Sequence, residues 1–127
     1  MFQPVSQSKD SQDIPAVAQG LAQIDKSMIL LKPRRLRDPK AIAAVRAIGI
    51  SDLSGLPTNG APPHHVIPVS CAGPDHRYNL LSNTSEEHRL CQDGLIPQDV
   101  QFKAIAMREG VDAETVIDSV NRMRGRG

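Results

Sequence analysis

Ile42, Val45 and Ile48 recur at the spacing of one helical face, with Asp38-Pro39 before them and Gly49 after. Asp38 can accept hydrogen bonds from the free amides of a first turn, and Pro39 forfeits none at the first helical position. Gly49 offers the stop, so a helix is predicted between them. Val116, Val120 and Met123 repeat the pattern over roughly 113–123, with Asp112 as cap and Val111 and Val116 placed to staple it. Another helix is predicted over roughly 98–108, stopped by Gly110. Thr84 followed by Glu87 has the form of a capping box, which starts a helix carrying His88. Two short apolar runs break the helical rhythm. His65-Val66-Ile67-Pro68-Val69 is β-branched, and Asn79-Leu80-Leu81-Ser82 follows after a loop; both read as strands. Residues 51–63 are turn chemistry throughout.

These elements predict a small α+β domain: a short hairpin plus a helix, with flanking helices. Residues 1–27, rich in Gln, Ser and Asp with Pro4 and Pro15, read as a loose leader, in which 16–24 carries a helical pattern weakened by Gly20. The domain is then 28–127, with its hairpin-and-helix core at about 64–90 and a C-terminal helical pair at 97–124. No internal repeat is present.

Composition narrows the classes. A chain of 127 residues with 39% hydrophobic and 23% charged residues suits one soluble globular domain. Fifteen Lys and Arg against 14 Asp and Glu give +1, which excludes binding driven by bulk positive charge. Phe2, Tyr78 and Phe102 are the only large aromatic residues, too few for a base-stacking platform. No apolar run approaches the ~20 residues of a membrane span, and no charged-then-apolar leader is present. No membrane partner is expected. With only Cys71 and Cys91 there is no disulfide framework, and a cytoplasmic protein of a bacterial or infected host cell is expected.

Local charge says more. From Ser27 to Ile50 the chain carries Lys32, Arg34, Arg35, Arg37, Lys40 and Arg46 against only Asp38. All four histidines, His64, His65, His76 and His88, fall in the mildly acidic stretch that follows. Such crowding suggests a metal or proton-transfer site.

The order His64-His65, then Asn79, then His88, on a strand–loop–strand–helix pattern, resembles the HNH endonuclease family with its ββα-metal motif. Pro63-His64-His65-Val66-Ile67-Pro68, Gly73-Pro74-Asp75, Asn79-Leu80 and Glu87-His88 match that pattern in order and type. A looser likeness to phage-type members extends back to Arg37-Asp38-Pro39-Lys40 and Ala44-Val45-Arg46. The resemblance implies hydrolysis of DNA to 5′-phosphate and 3′-hydroxyl ends. Phosphodiester hydrolysis needs an activated water and a cation beside the phosphate. A neutral imidazole is well matched to deprotonating water near pH ~7. His65 is the expected general base, and Asn79 is expected to accept its other ring N–H. His64 and His88 are expected to ligate one divalent cation (Mg, Mn, Ni or Zn), with the third ligand open. Adjacent strand residues face opposite sides, so His64 and His65 can serve one site only if the chain bends there. Lys32, Arg34, Arg35, Arg37, His76 and Arg77 are expected to contact the nucleic-acid backbone.

Departures from the family bear on metal binding. Many members hold a structural zinc with two Cys-x-x-Cys pairs; here Ser51 and Ser54 stand at the first pair, and Thr84 and Glu87 at the second. Hydroxyls are poor zinc ligands, so no structural zinc is expected. A further histidine, found one turn beyond the last in some members, is here Gln92, and Cys91 is one residue out of step. A homodimer and a phage packaging partner stay open. So do two other functions: a non-catalytic DNA-binding or regulatory protein that kept the fold, and a nuclease toxin domain. The start at Met1 without a delivery region disfavours the toxin.

Overall fold

Helix caps and two prolines lay out the frame around the histidines. The computed structural model describes residues 35–126. The expected leader, its 16–24 helix, Lys32 and Arg34 lie outside the described residues. Helix α1 (Pro39–Arg46) begins as expected: the Asp38 side chain accepts from the amides of Lys40 and Ala41. It buries Val45, while Ile42 and Ile48 are half-buried. Strand β1 (His64–His65) pairs antiparallel with β2 (Leu80–Leu81), His64 opposite Leu81 and His65 opposite Leu80. Helices α2 (Ser85–Gln92), α3 (Gln98–Glu109) and α4 (Ala113–Arg126) complete the α+β arrangement.

The first strand is shorter than its β-branched run predicts. The Val66 amide still reaches the Asn79 carbonyl at 3.0 Å, but Pro68 has no amide to give, and Val69–Cys71 coils into a 3₁₀ turn. Gly73 then crosses against the chain just left. A Cβ there would lie 1.7 Å from the Ile67 carbonyl oxygen, so only glycine fits.

The core lies beneath the hairpin. Leu80 and Leu81 are fully buried, and Val66, Leu81 and Cys91 pack with Phe102, Ile105 and Ala106 of α3 and Val116 and Val120 of α4. Met123 is only half-buried. Arg108, a residue the hydrophobic pattern gives no reason to notice, ties α3 to the hairpin. It donates to the Asp52 carboxylate at 2.6 Å and to the carbonyls of Leu80 and Arg77.

The Ser51–Ser54 turn and the start of α2 meet in a knot of hydrogen bonds. The Ser51 hydroxyl donates to Glu87 Oε1 at 2.7 Å and accepts from the amides of Leu53 and Ser54. Glu87 Oε1 also accepts from the Thr84 amide, and Thr84 Oγ1 from the Glu87 amide, which closes the expected capping box. Burial alone would raise the Glu87 carboxyl. Hydrogen bonds from Ser54, Ser51 and Thr84 outweigh it and hold the group below its ordinary value. Among the described residues, no helix is long and apolar enough to cross a membrane.

Candidate functional site

His64, His65 and His88 line one cavity of about 680 Å³ between the hairpin, α2 and the start of α3. His64 and His65 form a two-residue strand entered from Pro63, and the chain bends only just beyond it, at Val66 and Ile67. His64 and His88 bring their ring centroids to 5.0 Å, with the planes tilted by 60°. The His64 ring is pushed down to about 4 by burial first, then by the neighbouring His88 and His65, with Gln101 pulling the other way. At neutral pH it therefore keeps a lone pair free for a cation.

His65 is held by a carboxylate. Its Nε2 lies 2.8 Å from Asp75 Oδ1. Asp75 is buried and also bonds to Arg35 Nη1 through Oδ1 and accepts from the Asp38 amide at 2.9 Å through Oδ2. Burial would raise the Asp75 carboxyl, but the bonds from His65, Asp38 and Arg35 outweigh it and keep the group ionised. An ionised carboxylate only accepts, so it fixes the neutral ring as the Nε2–H tautomer and leaves the lone pair on Nδ1.

Asn79 does not take the expected place beside His65. It is fully buried, with Oδ1 accepting from the Ile67 amide at 2.8 Å and Nδ2 donating to the carbonyls of Ile67 and Pro74, both at 3.1 Å. These bonds clamp the two ends of the loop that carries Asp75. Its effect on His65 is thus indirect, through the position of that loop.

Three of the residues expected on the nucleic-acid backbone are engaged elsewhere. Arg35 is committed to Asp75, and Arg77 Nε to Glu109 at 2.6 Å, although the Arg77 side chain is otherwise exposed. His76 accepts from the Tyr78 amide at 3.1 Å and packs edge-on against the Tyr78 ring. Burial, then the nearby Arg77, lowers its pKa, so it presents no cation to a phosphate. Arg37 and Lys40 are exposed and free of ion pairs among the described residues.

No protein-family model, no curated protein and no solved structure matches the chain.

His64 and His88 offer two imidazole rings, and among the described residues no group of three or more His, Cys, Asp or Glu is arranged to hold a metal ion. Cys91 lines the same cavity, and burial first and then Glu87 push its thiol up to about 11, so without a metal it is protonated at neutral pH. Two imidazole nitrogens fall short of the four protein ligands of a structural zinc site. Asp75 and Gln101 have no part assigned by the sequence pattern. Gly73-Pro74 ahead of Asp75 is the available signal for the first, and nothing local marks the second.

Proposed function

We propose that this protein is a metal-dependent endonuclease of HNH type that hydrolyses DNA phosphodiester bonds. The observation that carries this reading is the His65–Asp75 hydrogen bond on the wall of the cavity that also holds the His64–His88 pair. Asp75 accepts a hydrogen bond from the Nε2–H of His65, which stays on the ring, and a water at the free Nδ1 gives up its proton there as its oxygen attacks phosphorus and the bond to the 3′ oxygen breaks. The imidazolium that forms stays against the Asp75 carboxylate, which stabilises it as in other His–Asp pairs. Arg35 and the Asp38 amide keep Asp75 ionised and in place. Asn79 fixes the loop, and so the angle at which Asp75 meets the ring. His64 and His88 would hold the divalent cation; when bound, it supplies positive charge beside the phosphate and the departing 3′ oxygen.

The test is incubation of supercoiled plasmid with the purified protein and Mg²⁺, Mn²⁺, Ni²⁺ or a chelator. Metal-dependent relaxation is expected, and His65→Ala should reduce it by ~10²–10⁴-fold. Equal cutting by His65→Ala at saturating metal would overturn the mechanism. The two-donor metal set favours one competing reading, a DNA-binding protein without catalysis. It predicts plasmid binding with no cleavage under any of these metals.

A further inference from the structure

Gln101 sits in the first turns of α3, outside the 64–90 segment, and is only 1% exposed. Its Nε2 donates to the Ile96 carbonyl at 2.8 Å. Its Oε1 is fully buried and has no hydrogen-bond partner. A buried amide oxygen left unpaired is costly, so a glutamine in a position that a leucine would fill implies a partner. The neighbour is His64. Both line the same cavity, and the Gln101 side chain counts among the groups that act on the His64 ring. Flipping the amide would set its oxygen against the Ile96 carbonyl, so the unpaired end of the amide can only accept.

An acceptor beside a neutral imidazole takes the N–H of one ring nitrogen and leaves the lone pair on the other. Ligating histidines gain orientation and basicity from such an outer partner, whose loss typically weakens metal affinity by ~10–100-fold.

We propose that Gln101 is a positioning residue, whose amide oxygen fixes the tautomer of His64 and so aims a single ring lone pair at the cation shared with His88. The metal half of this rests on the nuclease reading above; the tautomer half stands without it.

The experiment uses the full chain. Long-range ¹H–¹⁵N NMR of the metal-free protein at neutral pH should show His64 in one tautomer, and Gln101→Leu should turn it into a mixture. Gln101→Glu, which keeps an acceptor oxygen, should restore the single form. Calorimetric titration with Ni²⁺ should show affinity ~10–100-fold weaker in Gln101→Leu and largely recovered in Gln101→Glu. A mixture of tautomers already in the wild type overturns the proposal, whatever the variants do. So does an unchanged tautomer in folded Gln101→Leu. Weaker Ni²⁺ binding with the tautomer unchanged would make Gln101 a direct ligand instead. A switched tautomer with no Ni²⁺ binding in any form keeps the positioning role and removes the metal reading. Gln101→Met, closer to glutamine in shape, replaces the leucine variant if that one does not fold.

Discussion

Asp75 Oδ1 and His65 Nε2 meet at 2.8 Å across the loop that joins the two strands. The contact gives a neutral imidazole a fixed tautomer and a counter-charge for its protonated form. Asp75→Asn keeps the shape of the side chain but loses the charge, and its amide can offer the ring a donor in place of an acceptor. Cleavage should fall by about 10²-fold or more, as in other His–Asp pairs. Ni²⁺ affinity should hold, because His64 and His88 are untouched. Plasmid cleavage beside calorimetry checks both; abolished metal binding would place Asp75 in the cation site.

The basic residues separate into two groups. Arg37 and Lys40 face solvent, whereas Arg35 is spent on Asp75. Arg37→Ala with Lys40→Ala should weaken DNA binding alike across sequences and flatten its dependence on salt, by roughly one unit of slope for each phosphate no longer neutralised. Arg35→Ala should leave the salt slope unchanged and slow cleavage, since it loosens the carboxylate behind His65. Fluorescence anisotropy at several salt concentrations distinguishes the two groups.

Ser51 and Glu87 should dominate the acid stability of the hairpin's far side. The Glu87 carboxyl is held below 4.5 in the folded protein. Its contribution is therefore fully present above that ordinary value and is lost as pH falls through the depressed one. Ser51→Ala removes a hydrogen bond to a charged group and the acceptor for two amides, a loss of about 2–3 kcal/mol at neutral pH. The deficit should narrow in acid, where the wild type loses the same interaction. Urea denaturation at neutral pH and at about pH 3 measures it.

His64 titrates in the opposite sense to an ordinary surface histidine. Its folded pKa is lowered from 6.5 to about 4, so between those values the unfolded chain binds a proton that the native one refuses. The share of stability owed to the neutral His64 ring should decline as pH falls through this window and level off below it, where the depressed carboxylates take over the acid response. The ring is partly exposed, so solvent screening reduces the effect to on the order of 1–2 kcal/mol. His64→Asn should reduce that slope to what His76, also lowered, contributes. In NMR the His64 ring should titrate near 4. A midpoint at its ordinary value would refute the burial argument.

Local chemistry made much of this fold legible. Asp38-Pro39, the Thr84–Glu87 box and Gly110 announce helix ends through bonds that close within a few residues, and the structure has all three. The Val66–Val69 run misleads because β-branching speaks for a strand while Pro68 withholds the amide that a strand requires. Asn79 stands out as a residue type, but its partners depend on how the loop folds back, which Gly73 permits and no spacing rule reports. Asp75, Arg35 and Gln101 matter through neighbours distant in sequence. A buried glutamine on α3 carries no local mark at all.

The knot around Ser51 has a consequence for the conditions this domain tolerates. Hydroxyls, amides and a carboxylate hold the turn to α2, and none of them reacts with peroxide or competes for a trace metal. Oxidants and chelators, which dismantle thiolate-bound folds, find nothing to attack at these four positions. Proton concentration is the variable that loosens the knot, because a protonated Glu87 no longer carries the charge that draws in the Ser51 hydroxyl and the Thr84 amide.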